Sequence, residues 1–139
     1  MSHTVSIQTQ IKNPEILKKA VEELERLLNK RVRIVKEGNF EVEFFDGFKK
    51  VKNGIAIKIE GWKYPIVIDL DTGEIFYDDY RGRWGNVEDL KKLKQLYSLE
   101  TILDIAKKQG VKKGILERLR EEAKQQLQKE GKVKLKIPL

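Results

Sequence analysis

Residues 5–29 read Val5-Ser6-Ile7-Gln8-Thr9-Gln10-Ile11-Lys12-Asn13-Pro14-Glu15-Ile16-Leu17-Lys18-Lys19-Ala20-Val21-Glu22-Glu23-Leu24-Glu25-Arg26-Leu27-Leu28-Asn29, and the change of period inside this stretch decides the fold class. Val5, Ile7, Thr9 and Ile11 alternate with polar residues, as in a strand with one buried face. From Ile16 the apolar positions switch to helical spacing: Ile16, Leu17, Ala20, Val21, Leu24, Leu27 and Leu28. The junction carries a helix-start signal. Asn13 can accept the first free amides, Pro14 has no amide to leave unpaired, and Glu15 sits at the positive end of the helix dipole. The stretch predicts a strand followed by an amphipathic helix over residues 14–29, packed on a sheet.

Beyond Asn29 the chain reads as successive one-faced strands: Val32/Ile34, Phe40/Val42/Phe44, Ile55/Ile57/Ile59 and Ile66/Ile68/Leu70. Turn signals separate them at Glu37-Gly38-Asn39, Asp46-Gly47, Asn53-Gly54, Glu60-Gly61 and Asp71-Thr72-Gly73. Connections this short imply an antiparallel meander, because a parallel crossover takes a dozen or more residues. One sheet face is expected to lie under the helix. The other is expected to show Gln8, Gln10, Arg33, Glu41, Glu43, Lys58 and Asp69 to water or to a partner.

From Val87 the period is helical again, through Leu90, Leu93, Tyr97, Leu99, Ile102, Leu103 and Ala106, with an expected break at Ser98 and a stop at Gly110. Residues 114–129 carry a narrow stripe of Leu116, Leu119, Ala123 and Leu127, which suggests a peripheral or partner-facing helix. After Gly131, Val133, Leu135 and Ile137 alternate with Lys132, Lys134 and Lys136 and precede Pro138, the pattern of a closing edge strand. The expected architecture over residues 1–139 is therefore a single α+β domain. It has an antiparallel β-sheet, one amphipathic helix on one face, and a basic helical C-terminal region followed by an edge strand.

At 139 residues the chain suits one hydrophobic core. No apolar run approaches the ~20 residues of a membrane helix, and Met1-Ser2-His3-Thr4-Val5 lacks the features of a signal peptide, so the expected location is cytoplasmic. The absence of Cys and the single His3 exclude disulfide, zinc-finger, iron–sulfur and His-triad chemistry from this inventory. The net charge of +7 is unevenly distributed: +3 over residues 1–35, −4 over 36–90 and +8 over 91–139. Lys91, Lys92, Lys94, Lys107, Lys108, Lys112 and Lys113 form the densest basic stretch, either a solvated helix face or a surface for a polyanion.

Two segments contain residues suited to chemistry or recognition. Asp69 and Asp71, with Asp78, can be read as an Mg²⁺-holding or acid–base cluster, although Asp-Thr-Gly is equally a tight-turn sequence. Tyr77-Asp78-Asp79-Tyr80-Arg81-Gly82-Arg83-Trp84-Gly85-Asn86 places two arginines among aromatics. Three readings stand: Trp84 packed at the base of the core with the arginines on Asp78 and Asp79, a protein-binding hot spot, or base stacking with phosphate contacts. Trp62-Lys63-Tyr64-Pro65 reads as core or rim, and His3 has no companions for a ligand set.

The run Met1-Ser2-His3-Thr4-Val5-Ser6-Ile7-Gln8-Thr9-Gln10-Ile11-Lys12-Asn13, followed by Ile16-Leu17-Lys18-Lys19-Ala20, resembles the start of the hypothetical chloroplast reading frame thirty-five family, domain of unknown function twelve fifty-seven. Ile66-Val67-Ile68-Asp69-Leu70, Tyr97 ahead of Ile102, and Ala106-Lys107-Lys108-Gln109-Gly110 add to the resemblance. After Gly110 the family tends to run into a strand and a Gly turn, where this chain reads helical. The resemblance implies a bacterial and plastid domain without an established activity, often encoded near an AAA+ ATPase, and so an accessory protein. It carries over no catalytic residue. The expected function is a non-enzymatic accessory or adaptor protein that binds a protein partner, with no cofactor and no metal. The alternative is nucleic-acid binding. The candidate binding residues are Tyr80, Arg81, Arg83, Trp84, Lys91, Lys92 and Lys94, with His3, Gln8 and Gln10 as polar candidates on the first strand.

Overall fold

In a computed structural model, which describes residues 4–130, the Asn13 side chain accepts the amides of Glu15 at 2.9 Å and Ile16 at 3.2 Å. This cap opens α1 (Pro14–Leu28), which Asn29 closes in the left-handed conformation. The strand before it is β1 (Val5–Gln8), and after it come β2 (Val32–Phe44), β3 (Gly47–Ile59), β4 (Ile66–Asp69) and β5 (Glu74–Tyr77). A single 3-10 turn (Tyr80–Gly82) leads to α2 (Val87–Lys108) and α3 (Lys113–Glu130). The strands form one sheet in the order β1-β5-β4-β3-β2, with every neighbouring pair antiparallel. The chain therefore starts at one edge, crosses through α1 to the other, and meanders back. This is the expected α+β class.

On the helix-covered face, Ile55, Ile57 and Ile59 of β3, Ile66 and Ile68 of β4 and Ile75 of β5 are buried with Leu17 and Leu24 of α1 and Leu93, Leu96 and Leu103 of α2. The period-two isoleucines and the helical leucines meet here, and each large aliphatic side chain contributes roughly 1.5–3 kcal/mol by leaving water. α2 runs unbroken through Ser98, against expectation. Leu96, Leu99 and Leu103 continue its buried stripe, and this packing outweighs the weak helix preference of one exposed serine.

The narrow stripe of α3, read as that of a peripheral or partner-facing helix, packs inside the fold. Leu116, Leu119, Ala123 and Leu127 all join the main core. Ion pairs flank the stripe: Arg120 donates to both oxygens of buried Glu100 at 2.8 and 2.9 Å, and Lys124 meets buried Glu23 at 2.8 Å. Glu100 holds the Arg120 guanidinium firmly in its charged form, well above its ordinary value. Gln128 also donates to the Leu27 carbonyl at 3.3 Å. A third buried carboxylate, Asp89, accepts Trp62 Nε1 at 3.1 Å and Lys30 Nζ at 2.9 Å, pinning the start of α2 to the β3–β4 connection and the end of α1. No helix among the described residues is long and apolar enough to cross a membrane. The edge strand expected over 133–137 lies outside the described residues.

The second sheet face departs most from expectation. Glu37-Gly38-Asn39 and Asn53-Gly54 are not chain reversals but interruptions within one long β2–β3 hairpin, where Gly38 and Gly54 stand opposite each other. An extra residue at Val35, between Ile34 and Lys36, shifts the register. Even-numbered positions that face the helices at Val32 and Ile34 face the other side by Val42 and Phe44. Beyond the glycine pair the hairpin bends across the sheet, packing Val42, Phe44 and Val51 on Ala56, Val67 and Phe76, with Phe40 and Tyr64 at the margin. Its turn reaches the opposite edge, where Thr4 N–H donates to Asp46 Oδ2 at 2.9 Å. The predicted all-polar face is thus a second small core. Glu41 and Glu43 are on the hairpin's exposed side and Lys58 is half-buried.

Gly54→Ala is expected to destabilise the fold by about 1–3 kcal/mol, since a Cβ there would lie 2.6 Å from Val51 Cγ2 and 2.9 Å from the Ile68 carbonyl oxygen. Urea unfolding checks this, with Gly114→Ala as comparison: its Cβ meets open space in α3 and should raise stability by about 0.5–1 kcal/mol. Tyr77, buried edge-on to Trp62 at 6.2 Å, has its phenol raised above the ordinary range by burial and then by the Asp79 charge. Above pH ~10 the unfolded chain loses this proton while the fold keeps it, so stability falls as pH rises toward the folded value. A spectrophotometric titration should show a late phenol component that Tyr77→Phe removes.

Candidate interaction surface

β2 ends with Phe44 turned inward; Phe45, just beyond it at the Asp46-Gly47 turn, and Phe48, near the start of β3, are 60% and 68% exposed. Because the hairpin bends at Gly38 and Gly54, this tip arrives at the segment that follows β5. There Phe45 meets Trp84 at 5.5 Å between centroids, Tyr64 meets Trp84 edge-on at 5.6 Å, and Tyr80 stacks on Trp84 at 4.5 Å. Three distant sequence segments thereby build one aromatic surface, while Phe48 lines, with Thr4, Lys49 and Phe76, a shallow cavity of about 330 Å³ at the same hairpin turn.

The backbone around Trp84 is held from both sides. Lys63 N–H donates to the Trp84 carbonyl at 2.8 Å, and Trp84 N–H donates to the Asp79 carbonyl at 2.9 Å. Gly85 lies directly against the Trp62 ring, leaving no room for a Cβ. Trp62 therefore belongs to the main core and Tyr64 to this surface, dividing the Trp62-Lys63-Tyr64-Pro65 segment between core and rim. Asp78 is buried, and its Oδ1 accepts the Tyr80 amide at 3.1 Å. Tyr80 and Arg81 are both left-handed, at φ 44° and 55°, although neither is glycine. Such backbone costs roughly 1–2 kcal/mol per residue, and it concentrates where a loop has a task beyond folding.

Cations surround the aromatics. Lys63 Nζ lies 4.2 Å from the Trp84 ring centroid, the Arg83 guanidinium 5.3 Å from Tyr80, and Lys49 Nζ 4.0 Å from Phe76. Arg81 and Arg83 are exposed, and among the described residues neither pairs with Asp78 or Asp79, in contrast to the internal-pairing reading. Trp84 is half-buried in this surface rather than in the core. The arrangement supplies an apolar centre with a positive rim, suited to an apolar side chain flanked by carboxylates.

The other candidates fall elsewhere. Asp69 Oδ1 accepts the Asp71 amide at 3.0 Å and Asp71 accepts Asn53 Nδ2 at 3.1 Å, so both shape the β4–β5 turn. Asp78 lies past the far end of β5, and no group of acidic or histidine side chains among the described residues is placed to hold a metal. The proposed Asp69–Asp71–Asp78 cluster is not assembled. Gln8 Nε2 donates to the Thr72 carbonyl at the same turn, Gln10 lies just beyond the end of β1, and His3 lies outside the described residues.

Nor do the lysines form one patch. From Lys91 to Lys108, α2 advances roughly 25 Å at about 1.5 Å per residue. Lys108 is paired with Asp104 at 3.0 Å, and Lys94 borders a groove beside Thr9–Ile11. Lys91 is exposed and Lys92 half-buried one turn into α2. Phe45 and Phe48 were missed by the sequence reading, though their signal is present. Three of the chain's five phenylalanines crowd Phe44-Phe45-Asp46-Gly47-Phe48, where a water-exposed turn needs none.

In comparisons with protein-family models, curated proteins and solved structures, the chain matches none.

Arg81→Gly should stabilise the fold by about 1 kcal/mol, because glycine adopts positive φ without the Cβ penalty. A higher urea midpoint with an unchanged slope checks this; an unchanged or lower midpoint would show that the arginine side chain compensates for its backbone.

Proposed function

We propose that this protein is a non-enzymatic accessory protein that docks a protein partner on the hairpin-tip surface. The supporting observation is the exposure of Phe45 beside Trp84 and of Phe48 at the same hairpin tip, in a fold that buries its other phenylalanines or half-covers them. Exposed rings grouped in this way mark contact surfaces, and Trp, Tyr and Arg dominate binding energy at such sites. With Lys63, Arg81 and Arg83 around the rings, the complementary partner segment carries an apolar anchor between acidic residues. The resemblance to the hypothetical chloroplast reading frame thirty-five family suggests an AAA+ ATPase as that partner.

Nucleic-acid binding is the second reading, favoured by Arg81 and Arg83, which are exposed and have no ion-pair partner among the described residues. The indole is already engaged by Tyr80 and Lys63, which leaves less of it for a base. Protein docking is therefore the reading the geometry supports better.

The test is affinity capture from the native host at moderate salt, followed by binding of the purified partner to wild type, Phe48→Ser and Arg81→Glu. A direct partner should bind Phe48→Ser roughly 5–30-fold more weakly, the consequence of losing 1–2 kcal/mol at a hot spot. Arg81→Glu should also weaken it, with the loss reduced at high salt. Equal binding by all three proteins would reject this surface. Single-stranded DNA or RNA binding with a steep salt slope, weakened by Trp84→Ala, would replace this reading with the second one.

A further inference from the structure

At the other end of β1 from the hairpin tip, an open groove of about 420 Å³ runs between the extended Thr9–Ile11 segment and the α2 face from Lys94 to Ile102. Its volume lies within the range of roughly 300–1,000 Å³ common to ligand sites. The helix wall presents Lys94, Tyr97, Ser98 and Thr101 at i, i+3, i+4 and i+7, one side of α2, with Ile102 continuing it. Buried Ile11 and half-exposed Ile102 supply the apolar part.

Some of the polar groups are committed to the fold. Thr9 Oγ1 donates to the Gly73 carbonyl and accepts the Ile11 amide, and Thr101 Oγ1 donates to the Tyr97 carbonyl at 2.9 Å. Others are not. Tyr97 Oη accepts the Asn13 amide at 3.1 Å, which positions the phenol and leaves its own proton to be donated. Among the described residues, the Lys94 ammonium, the Ser98 hydroxyl and the Gln10 side chain and backbone groups have no hydrogen-bond or ion-pair partner. Of the described residues lining the groove, Lys94 is the one that carries a charge. β1 is also a sheet edge among the described residues, with no described strand on its outer side.

We propose that this groove binds the C-terminal end of an extended peptide with an apolar last residue. One ammonium with two hydroxyl donors matches a single-charge carboxylate, whereas a phosphate dianion would leave half its charge uncompensated. Ile11 and Ile102 accept the last side chain, and the Gln10 backbone pairs with the peptide as a strand added at an edge would. This site is separate from the hairpin-tip surface and does not rest on the function assigned there.

The test uses the full ¹⁵N-labelled chain and pools of acetylated tetrapeptides ending in Leu, Ile, Val or Phe, each as free acid and as the matching amide. Free acids should produce saturable shifts at Gln10, Lys94, Ser98 and Ile102, and amides should bind at least tenfold more weakly. Lys94→Met, which keeps the aliphatic stem, should lose the same factor, while Lys107→Met on the same helix should not; the spectra themselves report whether each variant is folded. Equal binding of acids and amides, no saturable shift at millimolar peptide, undiminished binding by folded Lys94→Met, or stronger shifts from inorganic phosphate would each overturn the proposal.

Discussion

The lack of a side chain at Gly54, opposite Gly38 in the β2–β3 hairpin, determines what the second half of the structure can be. At Gly54 a side chain would run into Val51 and the Ile68 backbone, so the hairpin can press onto the sheet only where that side chain is absent. With the glycines in place, the outer half of β2 and β3 bends over the face that the helices leave bare. Phe40, Val42, Phe44 and Val51 then have a surface to bury against. A straight hairpin would leave these residues in water and leave Phe45 far from Trp84. The second core and the candidate surface therefore share one steric origin.

The helical side is oriented by a different device. Its leucine and isoleucine contacts are strong but non-directional, and many relative rotations of three helices would bury similar area. Three buried carboxylates select one arrangement. Asp89 joins Trp62 and Lys30, Glu100 receives Arg120 through two parallel bonds, and Glu23 meets Lys124. Buried pairs of this kind add little net stability compared with apolar substitutes, yet removing one partner costs about 3–5 kcal/mol. Their role here is to set the register of α3 and the start of α2.

These pairs also change the meaning of the charge distribution. The +8 of residues 91–139 suggests a basic helical end, but Arg120 and Lys124 neutralise acids in the helix layer and Lys108 pairs within its own helix. Lys63 and Arg83, exposed cations set over aromatic rings, lie instead within the segment whose net charge is −4. Charge counted along the chain and charge presented in space differ because helical ion pairs consume cations locally, while the hairpin brings aromatic rings to cations far away in sequence.

Local chemistry determined much of this protein. The Asn13-Pro14-Glu15 signal sets the start of α1, alternating isoleucines set the strands, and Asp46-Gly47 and Asp71-Thr72-Gly73 set two of the turns, because each depends on backbone preferences and neighbours within a few residues. The Tyr80–Trp84 segment was equally legible as a recognition candidate from its composition. Tertiary structure decided the rest. Whether Gly38 and Gly54 reverse the chain or bend a hairpin depends on their pairing across strands, and the continuity of α2 through Ser98 depends on burial against other elements. The meeting of Phe45 with Trp84, and the groove between Gln10 and Lys94, depend on segments that sequence order keeps apart. A sequence specifies local conformational preference directly, whereas a surface shared by distant segments exists only after packing has chosen among the arrangements those preferences allow.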